Sequence, residues 1–201
     1  MIWSSSRVFV TGASGFLGRY VVDALVSRSA AVVAMTRGSA TVNRLNRPGV
    51  PEVTVDLRDN SYVKWLLEDE RIDTVLHLAA QVKPADPVTF WETNVRGTWN
   101  LLEACRPTVR RIVLVSSIRA EEPERRDPYA VSKRCADLIA DCYRDTLGLP
   151  LRVVALPPLY GPDGQWAQPL VGESWKWMDV RDAAAMVLRA AELIAVPEPA
   201  A

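Results

Sequence analysis

The stretch Thr11-Gly-Ala-Ser-Gly-Phe-Leu-Gly18 decides the fold of this chain. It follows a short apolar run, Arg7–Val10, and it opens a segment with helical periodicity, Phe16–Ser27. In such a strand–turn–helix unit the first glycine allows the tight turn, the second lets backbone approach a phosphate, and the third lets helix and strand pack closely. The helix amino terminus adds free amide donors and a partial positive charge. The stretch therefore predicts a turn that holds the pyrophosphate of a dinucleotide; the alternative is a glycine turn without a ligand.

Short β-rich runs alternate with longer helical patterns along the rest of the chain, which predicts a Rossmann-type α/β fold, a doubly wound parallel sheet with helices on both faces. Further strands are predicted at Ala31–Met35, Val53–Val55, Thr74–Leu78, Arg111–Val115 and Leu151–Ala155, and further helices near Ser61–Glu70, Pro87–Ala104, Pro128–Thr146 and Val180–Ala195. We expect one domain, 1–201, divided into a cofactor-binding core (1–156), a substrate loop or lid (157–178) that forms a reduced C-terminal substrate appendage, and a C-terminal helix (179–196).

The composition of the chain limits which kinds of molecule it can be expected to bind. The chain has 201 residues, 49% of them hydrophobic, and 24 basic side chains balance 24 acidic ones. Zero net charge argues against nucleic acid or an anionic membrane as the main partner. No apolar run in this sequence reaches the length of a membrane span, and we expect no secretory signal before the first strand. Three cysteines, expected to be free and buried, favour a cytoplasmic location, and one histidine without a Cys-x-x-Cys motif predicts no metal site.

The string Tyr129-Ala-Val-Ser-Lys133 carries a second chemical signal. The tyrosine and the lysine are four residues apart, so on a helix both side chains leave the same face. A buried ammonium beside a phenol favours the phenolate, which makes the phenol an acid–base group able to work near neutral pH. The alternative is a surface ring beside a solvated ammonium. The glycine turn upstream favours the acid–base interpretation.

Eight strings share order and spacing with one family. They are Thr11–Gly18, Asp56-Leu57, His77-Leu-Ala-Ala80, Asn94-Val-Arg-Gly-Thr98, Val115-Ser-Ser117, Tyr129–Lys133, Leu156-Pro-Pro-Leu-Tyr-Gly-Pro162 and Trp177-Met-Asp-Val-Arg-Asp-Ala183. Together they resemble the short-chain dehydrogenase/reductase superfamily, in its extended, epimerase/dehydratase-like branch. The resemblance runs from Arg7 to about Pro162 and weakly on to Ala191.

The resemblance implies site residues and a nicotinamide cofactor. Its catalytic set is Ser117, Tyr129, Lys133 and Asn94, with Ser116 as the alternative to Ser117. In that family the tyrosine exchanges a proton with the substrate oxygen, the serine polarises the same oxygen, and the lysine lowers the tyrosine pKa and binds the nicotinamide ribose. The resemblance implies cofactor contacts from Gly12, Ser14, Gly15, Phe16, Leu17, Gly18, Asp56, Leu57, Leu78, Ala79, Ala80, Tyr129, Lys133 and Pro157. His77 is expected to line the cofactor or to be structural.

Cofactor choice depends on the end of the second strand. NAD-selective enzymes place an acid there, about 20 residues past the glycines. This chain reads Met35-Thr36-Arg37-Gly38-Ser39, without a carboxylate, and Arg37 offers a guanidinium suited to a 2′-phosphate. We therefore expect NADP(H) to be preferred, with NAD(H) possible if Arg37 stacks on adenine instead.

Two departures from the family bear on the substrate. Little chain lies between Gly161 and Met178, and the segment Ile118–Pro128 is short and charged, which predicts a solvated loop. These features favour an NADPH-dependent carbonyl reductase or alcohol dehydrogenase, a ketoreductase acting on a small carbonyl or alcohol substrate. The alternatives are a nucleotide-sugar epimerase or dehydratase and an NADP-binding regulatory or structural subunit. A homodimer through the helices near Pro87–Ala104 and Pro128–Thr146 is possible by analogy, and the tryptophans on predicted helices (Trp65, Trp91 and Trp99) are expected to be packing residues.

Overall fold

The computed structural model describes residues 2–36, 45–83, 85–162, 168 and 177–196. The strands are β1 (Arg7–Thr11), β2 (Ala31–Thr36), β3 (Glu52–Thr54), β4 (Thr74–His77), β5 (Arg111–Ser117), β6 (Leu151–Leu156), β7 (Leu159–Tyr160) and β8 (Met178–Asp179). The helices are α1 (Phe16–Val26), α2 (Asn60–Asp69), α3 (Pro87–Phe90), α4 (Gly97–Cys105), α5 (Pro128–Leu147) and α6 (Val180–Glu192). A π-helical segment, Trp91–Arg96, joins α3 to α4, and 3-10 turns occupy Ile2–Ser5 and Ile118–Glu121.

Six parallel strands form the main sheet in the order β3-β2-β1-β4-β5-β6, and β7 pairs with β8 in a separate parallel ribbon. This order reverses direction between β1 and β4. In open parallel sheets, ligands bind at the carboxyl ends of the strands on either side of such a reversal. The predicted Rossmann-type architecture is therefore confirmed, and it brings the end of β1 beside the end of β4.

Helices cover both faces of the sheet because strand side chains alternate between two apolar clusters. Along β1, Val8 and Val10 join the cluster that includes α1 and α6, while Phe9 joins the cluster that includes α2, α4 and α5. All three side chains are fully buried. Each contributes about 1.5–3 kcal/mol relative to an exposed side chain, so the two clusters fix the sheet between its helical layers.

Three expectations need correction. The predicted helix Pro87–Ala104 is interrupted by the π-helical segment. The tryptophans expected to pack on helices are exposed: Trp65, Trp91 and Trp99 keep 54%, 55% and 54% of their surface. Helical periodicity places a residue on a face but does not say whether another element covers that face. The cysteines are free, but only Cys105 is buried, Cys135 is half-buried and Cys142 is exposed.

The predicted lid, 157–178, falls largely outside the described residues, so the division of the chain into core, lid and final helix stays a prediction. Within the described residues, no helix combines the length and the apolar character needed to cross a bilayer.

Candidate active site

The glycine turn lies against the segment that follows β4. Gly12 has a φ of +69°, and a Cβ there would lie 2.8 Å from the backbone nitrogen of Ala79. A Cβ on Gly18 would clash with the Gly12 carbonyl oxygen. Gly15 is the N-cap of α1 and makes no side-chain cap hydrogen bond, so the first amides of that helix keep their donors for a ligand. This close backbone packing with an open helix terminus fits the pyrophosphate of a dinucleotide.

The other predicted cofactor residues surround the same edge of the sheet. Leu78, Ala79 and Ala80 follow β4 directly, and Pro157 follows β6. Within the turn and α1, Ser14 is half-buried, and so are Phe16 and Leu17. Arg37, on which the NADP(H) preference depends, lies outside the described residues.

Asp56 is hydrogen-bonded to Arg58, a contact that the sequence does not predict. Its carboxylate accepts hydrogen bonds from the backbone nitrogen (2.9 Å), Nε (2.9 Å) and Nη2 (2.6 Å) of Arg58. The Arg58 side-chain hydrogen bond holds the pKa of Asp56 below its usual value. Asp56 is half exposed and still has lone pairs for an adenine amine, whereas Leu57 beside it is buried. Its predicted cofactor contact therefore stays a prediction.

His77, at the end of β4, sits in the middle of a buried hydrogen-bond chain. Ala79 donates its backbone N–H to Thr11 Oγ1 (3.1 Å), which lies 2.7 Å from His77 Nδ1. His77 Nε2 lies 3.0 Å from Thr98 Oγ1, and that hydroxyl donates to the Asn94 carbonyl (2.7 Å). Since the Thr98 proton is committed, Nε2 carries the imidazole proton and Nδ1 accepts from Thr11. A neutral His77 thus links the glycine turn to the segment that carries Asn94.

We expect His77 to make folding sensitive to acid. Burial, helped by the charge of Lys133, lowers the His77 pKa from 6.5 to about 3. A histidine whose pKa is lowered in the folded state stabilises fully above pH 6.5, and that stability is lost as pH falls toward 3. The loss is about 1.4 kcal/mol per pH unit, or roughly 3 kcal/mol by pH 4. The measurement is urea unfolding of wild type and His77→Gln between pH 7 and pH 4; equal pH slopes for the two proteins would contradict the prediction.

Tyr129 lies in the first turn of α5, at the end of the sheet that holds the glycine turn. Pro128 and the N-cap Asp127 fix the start of this helix: the Asp127 side chain accepts from the backbone nitrogen of Ala130 at 3.0 Å. The half-buried ring packs edge-on against Phe90, with 6.4 Å between centroids. Burial raises the Tyr129 pKa, and a side-chain hydrogen bond from Ser117 lowers it. Ser117 and Tyr129 therefore lie within hydrogen-bonding reach of each other, and their joint catalytic role stays a prediction.

Lys133 and Ser116 each form a hydrogen bond between α5 and β5. Lys133 is 4% exposed, and its Nζ donates to the Val115 carbonyl at 2.6 Å. Ser116 donates to Asp137 Oδ2 at 2.7 Å, and because its hydroxyl proton is committed, this bond favours Ser117 over Ser116 for the predicted catalytic set. Burial lowers the Lys133 pKa to about 8 against the opposing charge of Asp137, and burial raises the Asp137 pKa to about 6.

Asn94 reaches the site from the π-helical segment. It is 1% exposed; its Oδ1 accepts from the backbone nitrogen of Gln81 (2.7 Å), and its Nδ2 donates to the Gln81 carbonyl (3.1 Å) and to Ser132 Oγ (2.8 Å). Ser132 in turn donates to the Tyr129 carbonyl at 2.8 Å. Such π turns inside helices are frequent at functional sites. Asn94 thus holds the chain after β4 against the first turn of α5.

The segment 118–128 is only partly a solvated loop. Ala120 is buried, and its carbonyl accepts from Arg134 Nε at 2.9 Å. Arg119 pairs with Asp127 (2.9 Å), and Arg125 pairs with Glu122 (2.7 Å). The charged side chains here pair with one another and with α5, so the predicted solvated loop holds for only part of the segment.

Several residues of this site are not identified by the sequence reasoning. Asp137 lies four residues after Lys133, and this helical spacing is a signal from which it can be found. Ser132 lies inside the quoted Tyr129–Lys133 string. No regular spacing in the sequence predicts the positions of Gln81 and Arg119, because the irregular segments that carry them determine where they lie.

Comparison with known proteins identifies similar chains. The chain is 30% identical over 190 residues to UDP-glucuronate 4-epimerase 3 of Arabidopsis thaliana, which covers 81% of this chain and 44% of that protein. It is 30% identical over 169 residues to CDP-glucose 4,6-dehydratase of Salmonella typhimurium, covering 72% of this chain and 47% of that protein. The chain therefore spans less than half the length of these two relatives. Among solved structures, the UDP-glucose 4-epimerase of Thermus thermophilus in complex with NAD superimposes with a TM-score of 0.76 at 27% identity, covering 92% of this chain and 74% of that one.

These relatives overturn one expectation. They are nucleotide-sugar epimerases and dehydratases, so the expectation of a small-molecule carbonyl reductase or alcohol dehydrogenase is wrong. The amount of chain after Gly161 is not a guide to substrate class, which depends on the side chains around the reacting carbon. The resemblance to the extended branch of the short-chain dehydrogenase/reductase superfamily is confirmed. Residues 8–199 match the model of the NAD dependent epimerase/dehydratase family, and the chain belongs to that family.

Proposed function

We propose that this chain carries the cofactor-binding and proton-transfer machinery of a nucleotide-sugar 4-epimerase, with UDP-glucuronate as the first substrate to test. One observation carries the proposal: Ser117 and Tyr129 lie together at the sheet edge where the glycine turn opens, since Arg119 donates to the serine Oγ at 3.3 Å and lies 5.3 Å from the tyrosine ring. The Arabidopsis thaliana relative, a UDP-glucuronate 4-epimerase, supports the substrate class. A 4,6-dehydratase is the second candidate, supported by the relative from Salmonella typhimurium.

We propose NAD(H) as the cofactor. The Thermus thermophilus epimerase was solved with NAD, whereas the NADP(H) preference rests on Arg37 alone. The backbone amides after Gly15 would hold the pyrophosphate, Asp56 and Leu57 the adenine, and Leu78–Ala80 and Pro157 would line the rest. When bound, the nicotinamide would accept a hydride from a sugar carbon and return it, so no net oxidation accompanies epimerisation.

In this proposal Tyr129 moves the proton. Its Oη takes the proton from the sugar hydroxyl as that carbon is oxidised and gives it back when the carbonyl is reduced again. Ser117 Oγ holds the same sugar oxygen and fixes it near the phenol. Lys133, whose pKa is about 8, keeps most of its positive charge at neutral pH, and its ammonium would bind the nicotinamide ribose. Asn94 keeps α5 in place through Ser132.

The direct test uses the purified chain with NAD and UDP-glucuronate. We expect proton NMR to show the C4 epimer accumulating while NADH absorbance stays flat, because the hydride is recycled. A 4-keto-6-deoxy product from CDP-glucose would instead favour the dehydratase. Calorimetric titration with NAD is the parallel arm, and a chain that binds no NAD would contradict the proposal.

We also propose that the chain forms a homodimer through α3, α4 and α5. Trp91, Trp99 and Val88 are more than half exposed on the first two helices and the segment between them, and Leu138 is 63% exposed on α5. These elements contact one another, and large exposed apolar side chains on neighbouring helices favour a protein interface over bare solvent contact. Sedimentation equilibrium would exclude this dimer if the chain stays monomeric at all concentrations.

A further inference from the structure

Arg119 lies over the ring of Tyr129. Its guanidinium carbon is 5.3 Å from the ring centroid, within the range of a cation–π contact. Its backbone nitrogen donates to Ser117 Oγ at 3.3 Å. Its Nε is buried and has no hydrogen-bond partner among the described residues, as expected for a guanidinium that stacks on a ring. One arginine thus contacts both members of the proposed proton-transfer pair.

The position of this guanidinium is fixed by the start of α5. Arg119 Nη2 donates to Asp127 Oδ2 at 2.9 Å, while Asp127 Oδ1 caps the helix by accepting from Ala130. Arg134, farther along α5, holds the Ala120 carbonyl at 2.9 Å. The residue that begins the catalytic helix therefore also anchors the cation above the ring, so the cation and the ring share one rigid support.

We propose that Arg119 is a positioning residue for Tyr129, whose guanidinium, held over the ring by Asp127, stabilises the phenolate form needed for proton transfer. The proposal rests on the proposed function only because that function uses the phenolate for proton transfer. A phenolate ring is richer in negative charge than a phenol ring, so the attraction to a cation above it grows on deprotonation. Lys133 directs its Nζ to the Val115 carbonyl, whereas Arg119 places its cation over the ring itself.

The charges around Tyr129 act in both directions. Burial raises its pKa most, and the negative charges of Asp127 and Asp137 add to that rise. The Ser117 hydrogen bond and the positive charge of Arg119 lower it. On the neighbouring elements, His77 of β4 is neutral above about pH 3, and Lys133 of α5 is positive up to about pH 8. Without Arg119, the two carboxylates would face the phenol with less compensation.

The test is a direct titration of Tyr129 that requires no turnover. The chain has five tyrosines, so a protein labelled with carbon-13 at tyrosine Cζ gives five resonances, and Tyr129→Phe assigns the relevant one. We expect Arg119→Met to move the Tyr129 midpoint to higher pH and Arg119→Lys to keep it near that of wild type. Arg126→Met is the matched control, because Arg126 is an exposed arginine of the same loop that bonds the Pro123 carbonyl. An unchanged midpoint in Arg119→Met, or an equal shift in Arg126→Met, would overturn the proposal.

A kinetic measurement distinguishes an electrostatic role of Arg119 from a purely structural one. With UDP-glucuronate as substrate, Arg119→Met should lose about 10-fold in kcat/KM at pH 7, the effect of one pKa unit on the phenolate fraction. That loss should shrink only as pH rises past the wild-type Tyr129 midpoint found by the titration, because the phenolate then forms without help. A loss that is equal at every pH would instead mean that Arg119 only supports the loop and would overturn the proposal. If UDP-glucuronate proves not to be a substrate, the proposed function fails while the NMR titration still decides the role of Arg119.

Discussion

Tyr129→Phe is expected to lower nucleotide-sugar turnover by about 10²–10⁴-fold, the usual contribution of a positioned acid–base group. The substitution removes only the hydroxyl, and the ring keeps its contacts with Phe90 and Arg119. We therefore expect NAD binding and thermal stability close to those of wild type. The measurement is the initial rate of epimer formation by NMR, beside a calorimetric NAD titration of the same sample.

Two neighbouring serines give the control for this experiment. Ser117→Ala should lower turnover because it removes the hydroxyl that we propose to act beside the phenol. Ser116→Ala should leave turnover much closer to wild type, since that hydroxyl donates to Asp137 instead. Turnover that is undiminished in Tyr129→Phe would remove the proton-transfer role and would favour a chain that binds the cofactor without catalysis.

Gly12→Ala is expected to abolish dinucleotide binding and to lower the free energy of unfolding by about 3 kcal/mol. The left-handed backbone, φ +69°, costs an L side chain about 1–2 kcal/mol. The new Cβ would also lie 2.8 Å from the Ala79 nitrogen, and overpacking of this kind costs about 1–3 kcal/mol more. Relief of that contact must displace the turn, so the amides that follow Gly15 lose their arrangement.

Gly148→Ala provides a control with the same backbone angle. Gly148 also has a φ of +69°, but nothing lies within 4 Å of a Cβ placed there. We expect the free energy of unfolding of this variant to fall only by the backbone cost, about 1–2 kcal/mol. We expect it to bind NAD like wild type. Chemical denaturation and NAD titration of both variants measure the difference. Equal behaviour of the two would mean that contact with Ala79 has no part in forming the turn.

The sheet and its layers can be predicted from the sequence because strand and helix periodicities are local properties of the chain. The glycine turn fixes the first crossover, and apolar runs locate the remaining parallel strands within one or two residues. The Tyr129–Lys133 spacing also identifies the face of α5 that looks into the sheet, where Lys133 is indeed buried. These features each depend on residues fewer than about 20 positions apart.

Contacts between distant segments cannot be predicted from local sequence patterns. The bond of Ser116 to Asp137 depends on how β5 meets α5, and the place of Arg119 depends on how a charged loop folds back. The pairing of Asp56 with Arg58 is local, yet nothing in the sequence shows that the arginine turns toward the carboxylate. Exposure of Trp65 and Trp99 depends on whether anything covers their helices. Substrate class depends on side chains around the reacting carbon, which motif order does not reveal.

The π-helical segment Trp91–Arg96 acts as a one-residue insertion within an otherwise continuous helix. An α-helix turns about 100° per residue, so one extra residue rotates all that follows by about that angle. The faces of α3 and α4 are therefore offset, although the chain does not break between them. Deletion of one residue from the segment would restore a regular helix but would turn the Asn94 amide or the α4 core face away from its partners. The length of this segment is thus itself a constraint on the sequence, independent of the identity of its side chains.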